Sequence, residues 1–376
     1  MSPRRTNGNA IWVMQEASRY SLPEEEMKRR RTVFNKETKK YEGARSTKIR
    51  KLQFVLNKNK DRNDNVWVGD NALSSSSKHI RFWFQNVNGL LKRNDMTELQ
   101  YNIASMADSG VNYFAFTESN LNVNKPGLPS KLIDGFKNII PNGHFRINNS
   151  PSYPKKSMYQ PGGIANGFDA SLKMCYLREG VDKFGRWTWH EFGKNKIVTR
   201  IYTIYRVNDG SEHASGTSTA WYQQKCLLEE SNIKTNPRKQ VLDDLCNEIR
   251  PIIEKGHNII LGGDFNKHLH SPEAMSDKLE NIGLLNVFET RLQNKNLPRT
   301  HARGSRAIDH IWATGHIIDN ISYAGYAPFG HVWDSDHRGM FIDVKATILF
   351  PNDDISIVYN DFRRLKSTIP KRTKKI

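Results

Sequence analysis

Several separated segments of the sequence place a carboxylate, an amide or an imidazole at the end of a short apolar run or just beside one. The residues that carry these groups are Asn86, Glu118, Asp264, Asn266, Asp309, Asp336 and His337. Their chemistry suits phosphodiester hydrolysis, which needs a cation against the phosphate oxygens, a base for the attacking water and donors for the developing charge. Strand ends on one edge of a sheet converge in space, so these segments can build one cleft.

The residue types suggest a division of roles within that cleft. Asn86, Glu118 and Asp336 offer the hard oxygen ligands that Mg²⁺ prefers. Asp264 can take a proton from water, and the imidazole of His337 can donate to a phosphate oxygen. The sequence therefore predicts a metal-dependent phosphodiesterase.

Asp309 is our candidate for the carboxylate that holds the second ring nitrogen of His337. Taken singly, each of these residues also has a purely structural interpretation. GDFN (263–266) is a common strand-to-turn sequence, Glu118 can cap a loop, and a lone histidine is more often hydrogen-bonded or at the surface. The order of the segments along the chain is what favours the catalytic interpretation.

Alternating apolar and amphipathic stretches predict an α/β domain. Residues 80–86 and 111–119 are predicted as buried strands, and 95–108 has the spacing of a helix. Further elements are predicted as strands near 186–192, 196–207, 259–265, 308–314 and 340–349 and as a helix at 237–255. Residues 150–170 and 208–220, rich in Gly, Ser, Pro and Asn, are predicted as loops at a functional rim.

The net charge is +18, and most of the excess lies near the two ends of the chain. Residues 1–78 carry 18 Lys and Arg against 9 Asp and Glu, and residues 350–376 carry 7 against 3. We predict a basic, largely disordered N-terminal tail, an ordered domain at 79–349 and a basic C-terminal tail, with the serines at 74–77 as the boundary. A helix is predicted at 23–34. Such tails fit a polyanionic partner or a purely solubilising role.

The sequence contains no apolar run that is long enough to cross a bilayer, and its first residues lack the apolar stretch of a secretory signal. Three cysteines without metal-site spacing fit a reducing compartment. We therefore expect an intracellular monomer without a membrane partner. The basic run at 28–31 favours the nucleus over the cytoplasm.

The succession of motifs resembles the endonuclease/exonuclease/phosphatase superfamily, and in particular its apurinic-endonuclease-like and deoxyribonuclease-I-like enzymes. The motifs are FQNVNGL (84–90), FTESN (116–120), IYRVN (204–208), LGGDFN (261–266), AIDHIW (307–312) and SDHR (335–338). The match covers roughly residues 79–349. It implies an α/β sandwich of two mixed β-sheets that pack face to face, with helices outside.

The resemblance also implies a role for each matched residue. Asn86, Glu118 and Asp336 correspond to the metal side of the site, and Asn86 also to a contact with the scissile phosphate. Asp264 corresponds to the aspartate that activates or aligns water, and His337 to the catalytic imidazole. The remaining roles are orientation of the histidine by Asp309 and contacts with the phosphate or substrate by Tyr205, Asn208 and Asn266.

A finer resemblance concerns residues 185–207 and 219–224, which look like endonuclease domains of eukaryotic retroelements. The segment 359–366 looks like the start of a region that continues in those polyproteins, so the chain is interpreted as truncated or derived from such an element. Asn88 stands where abasic-site enzymes commonly carry Asp, and Glu118 lies in an unusual Thr-Glu-Ser context. Both departures weaken a prediction of abasic-site specificity.

Six further residues, three near the predicted cleft and three tryptophans that could stack on bases or fill the core, are interpreted as structural at least as readily as functional. They are Trp187, Trp189, Trp221, His301, His310 and Arg338.

The expected activity is an endonuclease that nicks double-stranded DNA with Mg²⁺, or with Mn²⁺ as a substitute. The resemblance implies products with a 3′-hydroxyl and a 5′-phosphate. Two alternatives stay open: a phosphatase or phosphodiesterase of the same fold acting on inositol phosphates or phospholipids, and a decayed protein that binds nucleic acid without cutting it.

Overall fold

The computed structural model describes residues 64–72, 78–91, 96–151, 157–194, 197–208, 218–271, 275–293 and 297–349. The strands are β1 (Val68–Gly69), β2 (His79–Asn86), β3 (Tyr113–Thr117), β4 (His144–Asn148), β5 (Ile164–Phe168), β6 (Tyr176–Val181), β7 (Trp187–Lys194), β8 (Ile197–Tyr205), β9 (Asn258–Asp264), β10 (Leu284–Asn286), β11 (Asp309–Thr314), β12 (Ile321–Tyr326) and β13 (Met340–Lys345). The helices are α1 (Met96–Asp108), α2 (Leu128–Lys137), α3 (Ala170–Lys173), α4 (Ala220–Glu230), α5 (Pro237–Glu254), α6 (Met275–Glu280), α7 (Val287–Leu292), α8 (Gly315–Ile318) and α9 (Ala346–Leu349).

The described strands form two mixed sheets. One has the order β1–β12–β13–β2–β3–β5–β4, and the other has the order β10–β11–β9–β8–β7–β6. Each sheet contains one parallel pair among antiparallel neighbours: β2 with β3 in the first sheet, and β8 with β9 in the second. The carboxyl ends of these parallel strands bring distant polar residues to one edge of each sheet.

The two sheets pack face to face over an apolar core. In β2, Phe82 and Phe84 point into this core, where they meet Ile260 of β9 and Ile311 of β11 in one buried cluster. Trp83, between the two phenylalanines, belongs instead to the cluster on the outer face of the sheet. This alternation is the period of a strand that is buried on both faces, and it explains why residues 80–86 read as an uninterrupted apolar run.

Helices cover the outer faces of both sheets. In α1, Leu99, Ile103 and Met106 recur at helical spacing, and they pack in the same cluster as Trp83. On the other side, α5 begins at Pro237 after Asn236, whose side chain accepts a hydrogen bond from the Arg238 backbone N at 2.9 Å. The predicted sandwich of two mixed sheets with helices outside is therefore confirmed.

Two consecutive glycines in β9 allow close contacts, Gly262 with the opposite sheet and Gly263 with the neighbouring strand β8. A Cβ atom at Gly262 would overlap the ring of Phe84 in the opposite sheet. A Cβ atom at Gly263 would overlap the backbone oxygen of Ile204, and Gly263 has a φ of +146°. Neither position accepts a side chain without displacing its neighbours.

Three sequence predictions differ from the structure. Residues 164–168, predicted within a loop, form β5, because a strand covered on both sides needs no polar face and its small residues allow close packing. The predicted strand 340–349 ends at Lys345, and residues 346–349 form α9. The predicted domain start at residue 79 is too late, since β1 (Val68–Gly69) already pairs with β12.

The remaining predictions about the chain ends fall on residues that lie outside the described ranges. These are the helix at 23–34, the serine boundary at 74–77 and the tail at 350–376. Across the part of the chain that the structure describes, none of the helices has the length and apolar character required to cross a bilayer.

Candidate active site

The polar residues predicted from the sequence meet where the edges of the two sheets face each other. In the second sheet, Asp264 lies opposite Tyr205 on one side and Asp309 on the other. In the first sheet, Asn86 ends β2 beside Thr117 of β3. The side chain of Asn86 crosses between the sheets and donates a hydrogen bond from Nδ2 to Asp264 Oδ2 at 2.8 Å.

Asp264 is buried and held by hydrogen bonds at both carboxylate oxygens. Its Oδ1 accepts from the backbone N of Asn266 at 2.7 Å, and its Oδ2 accepts from Asn266 Nδ2 at 3.2 Å as well as from Asn86. Burial, together with the charge of Asp309, raises the pKa of Asp264 well above its ordinary value. A carboxylate with a raised pKa is a better proton acceptor, which suits a base for water.

His337 and Asp309 form a buried pair beside Asp264. The ring Nδ1 of His337 lies 2.9 Å from Asp309 Oδ2. Burial alone would lower the pKa of His337, but the charge of Asp309 and the hydrogen bond to it, with a contribution from Asp264, raise this pKa to about 10. The imidazole is therefore protonated at neutral pH, and Nδ1 is the donor to Asp309. Its Nε2–H is left to act on a substrate oxygen.

Ser335 fixes the backbone that presents His337. The Ser335 hydroxyl donates to the backbone oxygen of Asn86 at 2.6 Å and accepts from the backbone N of His337 at 3.1 Å. Thr300 fixes the neighbouring strand, because its Oγ1 accepts from the backbone N of Asp309 at 3.1 Å. These contacts tie the histidine to residues of both sheets.

Glu118 follows β3 and is bound by Tyr205 from the second sheet. The Tyr205 hydroxyl donates to Glu118 Oε1 at 2.7 Å. Burial raises the pKa of Tyr205 well above its ordinary value, and the charges of Glu118 and Asp264 add to this effect, so the phenol remains a donor. Glu118 itself has a φ of +52°, in the left-handed region that non-glycine residues rarely adopt. Backbone strain of this kind is concentrated at functional sites.

Asp336 lies next to two donors at the rim of the site. Asn88 Nδ2 contacts its two carboxylate oxygens at 3.1 and 3.2 Å, and His301 Nε2 lies 3.5 Å from Oδ2. Burial would raise the pKa of Asp336, but the hydrogen bond from His301 and the charge of His337 lower it to about 2. Asp336 is thus a permanently charged oxygen ligand in neutral solution.

Comparison with solved structures identifies the fold. The AP endonuclease LMAP from Leishmania major superposes with a TM-score of 0.56 at 12% identity, over 78% of this chain and 98% of that one. This chain has the deoxyribonuclease-I-like fold of the endonuclease/exonuclease/phosphatase proteins. The 3′ phosphatase NExo from Neisseria, bound to a product DNA hairpin, matches at 14% identity and a TM-score of 0.48, over 71% of this chain and 99% of that one. No protein-family model and no curated protein sequence matches the chain.

The donor set within this endonuclease/exonuclease/phosphatase fold fits a divalent cation. Four carboxylates, from Glu118, Asp264, Asp309 and Asp336, share the site with His337, so an anionic phosphate would be repelled without a bound cation. Asp309 Oδ1 is buried and has no hydrogen-bond partner among the described residues. Two groups of residues have ligand atoms that all lie within 4.8 Å of one another: Asp264, Asp309 and His337, and His301, Asp336 and His337.

The predicted metal ligands differ in how many of their side-chain acceptor positions are already used by hydrogen bonds within the protein. The Oδ1 atom of Asn86 accepts from the backbone N of Asn88 at 2.9 Å, and its Nδ2 is committed to Asp264. Asn86 therefore positions Asp264 and has one remaining lone-pair direction for a cation. Glu118 and Asp336 are carboxylates that each retain acceptor capacity, and they are the stronger candidates for metal ligands.

Several other predicted residues have structural contacts. His310 is buried and hydrogen-bonds through Nε2 to the backbone oxygen of Lys267 at 2.8 Å. Arg338 is buried over the ring of Phe329. Asn208 is exposed and follows the end of β8. The structure thus assigns His310 and Arg338 to the scaffold.

The three tryptophans also belong to packed clusters. Trp187 donates to Glu248 Oε2 at 3.2 Å, and the ring of Trp189 lies 4.0 Å from the guanidinium carbon of Arg200. Trp221 packs in the same cluster as Tyr205. Trp221 is therefore the tryptophan that a change at the site would affect most directly.

Sequence reasoning missed the positioning roles of Asn88, Thr300 and Ser335. In the sequence Asn88 stands out only as a departure from the abasic-site enzymes that the motifs resemble, whereas in the structure its side chain donates to Asp336. For Ser335 a signal existed, since a serine two residues before a functional side chain forms a local turn through its hydroxyl. For Thr300 there was none, because its contact with Asp309 depends on the fold of the intervening loop.

Proposed function

We propose that this protein is a metal-dependent phosphodiesterase that nicks double-stranded DNA. The observation that carries the proposal is geometric: Asp264, Asp309 and His337 meet at one sheet edge, with ligand atoms that all lie within 4.8 Å of one another. His337 is held protonated by Asp309, while Asp264 is a buried carboxylate with a raised pKa. An imidazolium that can donate and a carboxylate that can accept a proton, placed together in one site, can divide acid and base roles between them.

Each residue has a defined part in the hydrolysis. Asp264 orients the attacking water and takes its proton, while Asn266 holds the carboxylate in position. His337 donates a hydrogen bond or proton from Nε2 to an oxygen of the scissile phosphate. The Tyr205 hydroxyl, which donates to Glu118, is proposed to contact the same phosphate.

Glu118 and Asp336, assisted by Asn86, would hold a divalent cation at this site. Mg²⁺ suits oxygen ligands of this kind, and Mn²⁺ is a chemically similar substitute. When bound, the cation neutralises the phosphate oxygens and the charge that develops on them. The three residues themselves supply the oxygen atoms and, through Asn88, a fixed orientation for Asp336.

DNA is proposed as the substrate on the strength of charge and resemblance. The chain carries a net charge of +18, which favours a polyanion because neutralised phosphates release their counterions. The similar structure from Leishmania major is an AP endonuclease, which supports a nucleic-acid substrate here as well. The motif resemblance to retroelement endonucleases supports an origin from such an element, and the basic run at 28–31 supports a nuclear location.

A plasmid-nicking assay tests the proposal. Supercoiled DNA should be converted to the open-circular form in Mg²⁺ or Mn²⁺, and EDTA should abolish the conversion. Asp264→Asn and His337→Ala should each lower the rate by at least about a hundredfold, because each removes a proton-transfer group. Asp319→Asn and His316→Ala, exposed positions on α8 and at its end, are matched controls that should leave nicking unchanged.

The outcome separates this proposal from its alternatives. Nicking that persists in the Asp264→Ala, His337→Ala double variant would refute the assigned mechanism. Cleavage of inositol phosphates or phospholipids in place of DNA would refute the substrate. Salt-sensitive DNA binding without any metal-dependent cleavage would identify a binding protein that has lost catalysis.

A further inference from the structure

A second group of metal-ligating side chains lies away from the candidate active site. His144 begins β4, Glu179 lies in β6 and His190 lies in β7. The ring Nε2 of His144 is 2.7 Å from Glu179 Oε2, and Nε2 of His190 is 3.1 Å from the same oxygen. The three ligand atoms all lie within 4.8 Å of one another.

The group lies toward the opposite edge of the first sheet from the candidate active site. His144 pairs across the sheet with Phe168, which in turn pairs with Tyr113 at the start of β3. Thr117, at the end of β3 and next to Glu118, is four residues further along the same strand. At roughly 3.3 Å per residue, the two sites are therefore about 13 Å apart along the strand.

The ring orientation of His190 is fixed by a hydrogen bond at Nδ1, the ring nitrogen that does not contact Glu179. His190 is fully buried, and its Nδ1 lies 2.9 Å from the Tyr113 hydroxyl. The same hydroxyl accepts a hydrogen bond from Asn166 Nδ2 at 3.2 Å. Because a carboxylate oxygen only accepts, the contact with Glu179 means that Nε2–H donates to Oε2 and Nδ1 accepts from the Tyr113 hydroxyl. A cation on Nε2 would take the place of that proton, and Nδ1–H would then donate to the Tyr113 hydroxyl. Metal-bound histidines characteristically have such a partner on the second nitrogen.

His144 and Glu179 are also held in place but reach solvent. The His144 ring stacks on Phe168 and Tyr176, with centroids 5.0 and 5.2 Å away. The side chains of His144 and Glu179 are 33% and 21% exposed. Arg146 forms an ion pair with Glu179 through Oε1, so Oε2 remains directed at the two imidazoles. A cation can therefore enter from solvent onto ligands that are already assembled.

We propose that His144, Glu179 and His190 form a binding site for a divalent transition metal, with Zn²⁺ as the best-suited ion and water as the fourth ligand. Two imidazoles and one carboxylate are a frequent three-residue ligand set for zinc, whereas Mg²⁺ favours oxygen ligands alone. Zinc–ligand bonds of about 2.0–2.2 Å in a tetrahedral site separate the ligand atoms by roughly 3.4 Å. The present separations of 2.7 and 3.1 Å to Glu179 Oε2 require only small outward movements of the two imidazoles. The site is independent of the proposed function.

The inference is tested with Zn²⁺ and Co²⁺ as probes on the full-length protein after treatment with chelator. Calorimetric titration should detect tight Zn²⁺ binding, and Co²⁺ should give the visible ligand-field absorption of a tetrahedral site. His144→Ala and Glu179→Gln should each weaken Zn²⁺ binding by at least about tenfold and abolish that absorption. His144 is the safer position to truncate, since it is partly exposed and its loss does not empty the core.

Two controls separate this site from other metal ligands. Asp336→Asn removes a carboxylate of the candidate active site and should leave the Co²⁺ absorption unchanged. His316→Ala removes an exposed imidazole on α8 and should also have no effect. The inference is overturned if wild-type protein gives no tetrahedral Co²⁺ spectrum, or if His144→Ala, folded by circular dichroism, binds Zn²⁺ as tightly as the wild type.

Discussion

Replacement of Asp309 by asparagine gives a quantitative test of how the histidine is activated. The Asp309→Asn change would keep the shape of the side chain and an oxygen that can accept from His337 Nδ1, but it would remove the charge. Asp309 is the principal group that raises the pKa of His337, and burial acts in the opposite direction. We therefore expect the pKa of His337 to fall from about 10 to about 6.5 or below.

The expected kinetic effect follows from the protonated fraction of His337. With a pKa of about 10, nearly all of the imidazole is protonated at pH 7.5. With a pKa of about 6.5, roughly a tenth is protonated at pH 7.5 and about a hundredth at pH 8.5. If the imidazolium is the donor, nicking by Asp309→Asn should fall about tenfold at the first pH and about a hundredfold at the second.

The assay is the pH–rate profile of plasmid nicking, together with NMR titration of the His337 imidazole in metal-free protein. Asp319→Asn is the matched control, since it makes the same chemical change at an exposed position. Unfolding gives an independent check, because a raised folded-state pKa stabilises the protein fully below pH 6.5 and that stabilisation is lost as pH rises through about 10. A variant whose rate is reduced equally at every pH, with His337 still titrating near pH 10, would refute the reasoning.

Three further changes have defined outcomes. Tyr205→Phe removes the donor to Glu118 and should lower nicking about tenfold or more, the worth of one hydrogen bond to a charged group, with an unchanged circular dichroism spectrum. Asn88→Ala removes the side-chain donor to Asp336. It should raise the Mg²⁺ concentration for half-maximal nicking by about tenfold or more, with little change in the rate at saturating Mg²⁺. A change confined to the rate at saturating Mg²⁺ would contradict this role of Asn88. Burial lowers the pKa of His310 to about 4, so unfolding stability should drop as pH falls from 6.5 toward 4, by ~3 kcal/mol in urea titrations, and His310→Gln should remove that drop.

The identity of the candidate site residues was accessible from the sequence because strand ends carry a recognisable signature. An apolar run that stops at Asn86 or at Asp264 indicates both the strand and the side chain that its end presents. The parallel pairs β2–β3 and β8–β9 then bring these ends together by the geometry of the sheet. No long-range information beyond the order of the motifs was required.

The elements that the sequence did not reveal are those whose burial comes from tertiary packing. The residues of β5 (IANGF) include Asn and Gly, which are typical of loops, yet all five are buried between neighbouring strands and the opposite sheet. In this environment Asn166 is accommodated by its hydrogen bonds to Tyr113 and Thr188. Local composition cannot indicate such partners, because they are distant in sequence.

The cluster of His144, Glu179 and His190 could not be predicted from the sequence, for a related reason. Its members come from three strands and have no metal-binding spacing in the sequence. They meet because β4 and β7 lie in different sheets whose faces approach near Phe168. Only the three-dimensional arrangement distinguishes them from ordinary surface histidines and a paired glutamate.

Gly262 of β9 links the spacing of the two sheets to the geometry of the candidate active site. The hydrogen bond from Asn86 to Asp264 spans the two sheets, and Gly262 beneath Phe84 determines how near those sheets can come. A methyl group at residue 262 would push the two sheets apart. It would thereby lengthen the hydrogen bond between Asn86 and Asp264. Substitutions of Phe84 that change its volume should therefore alter the rate of nicking as well as the melting temperature.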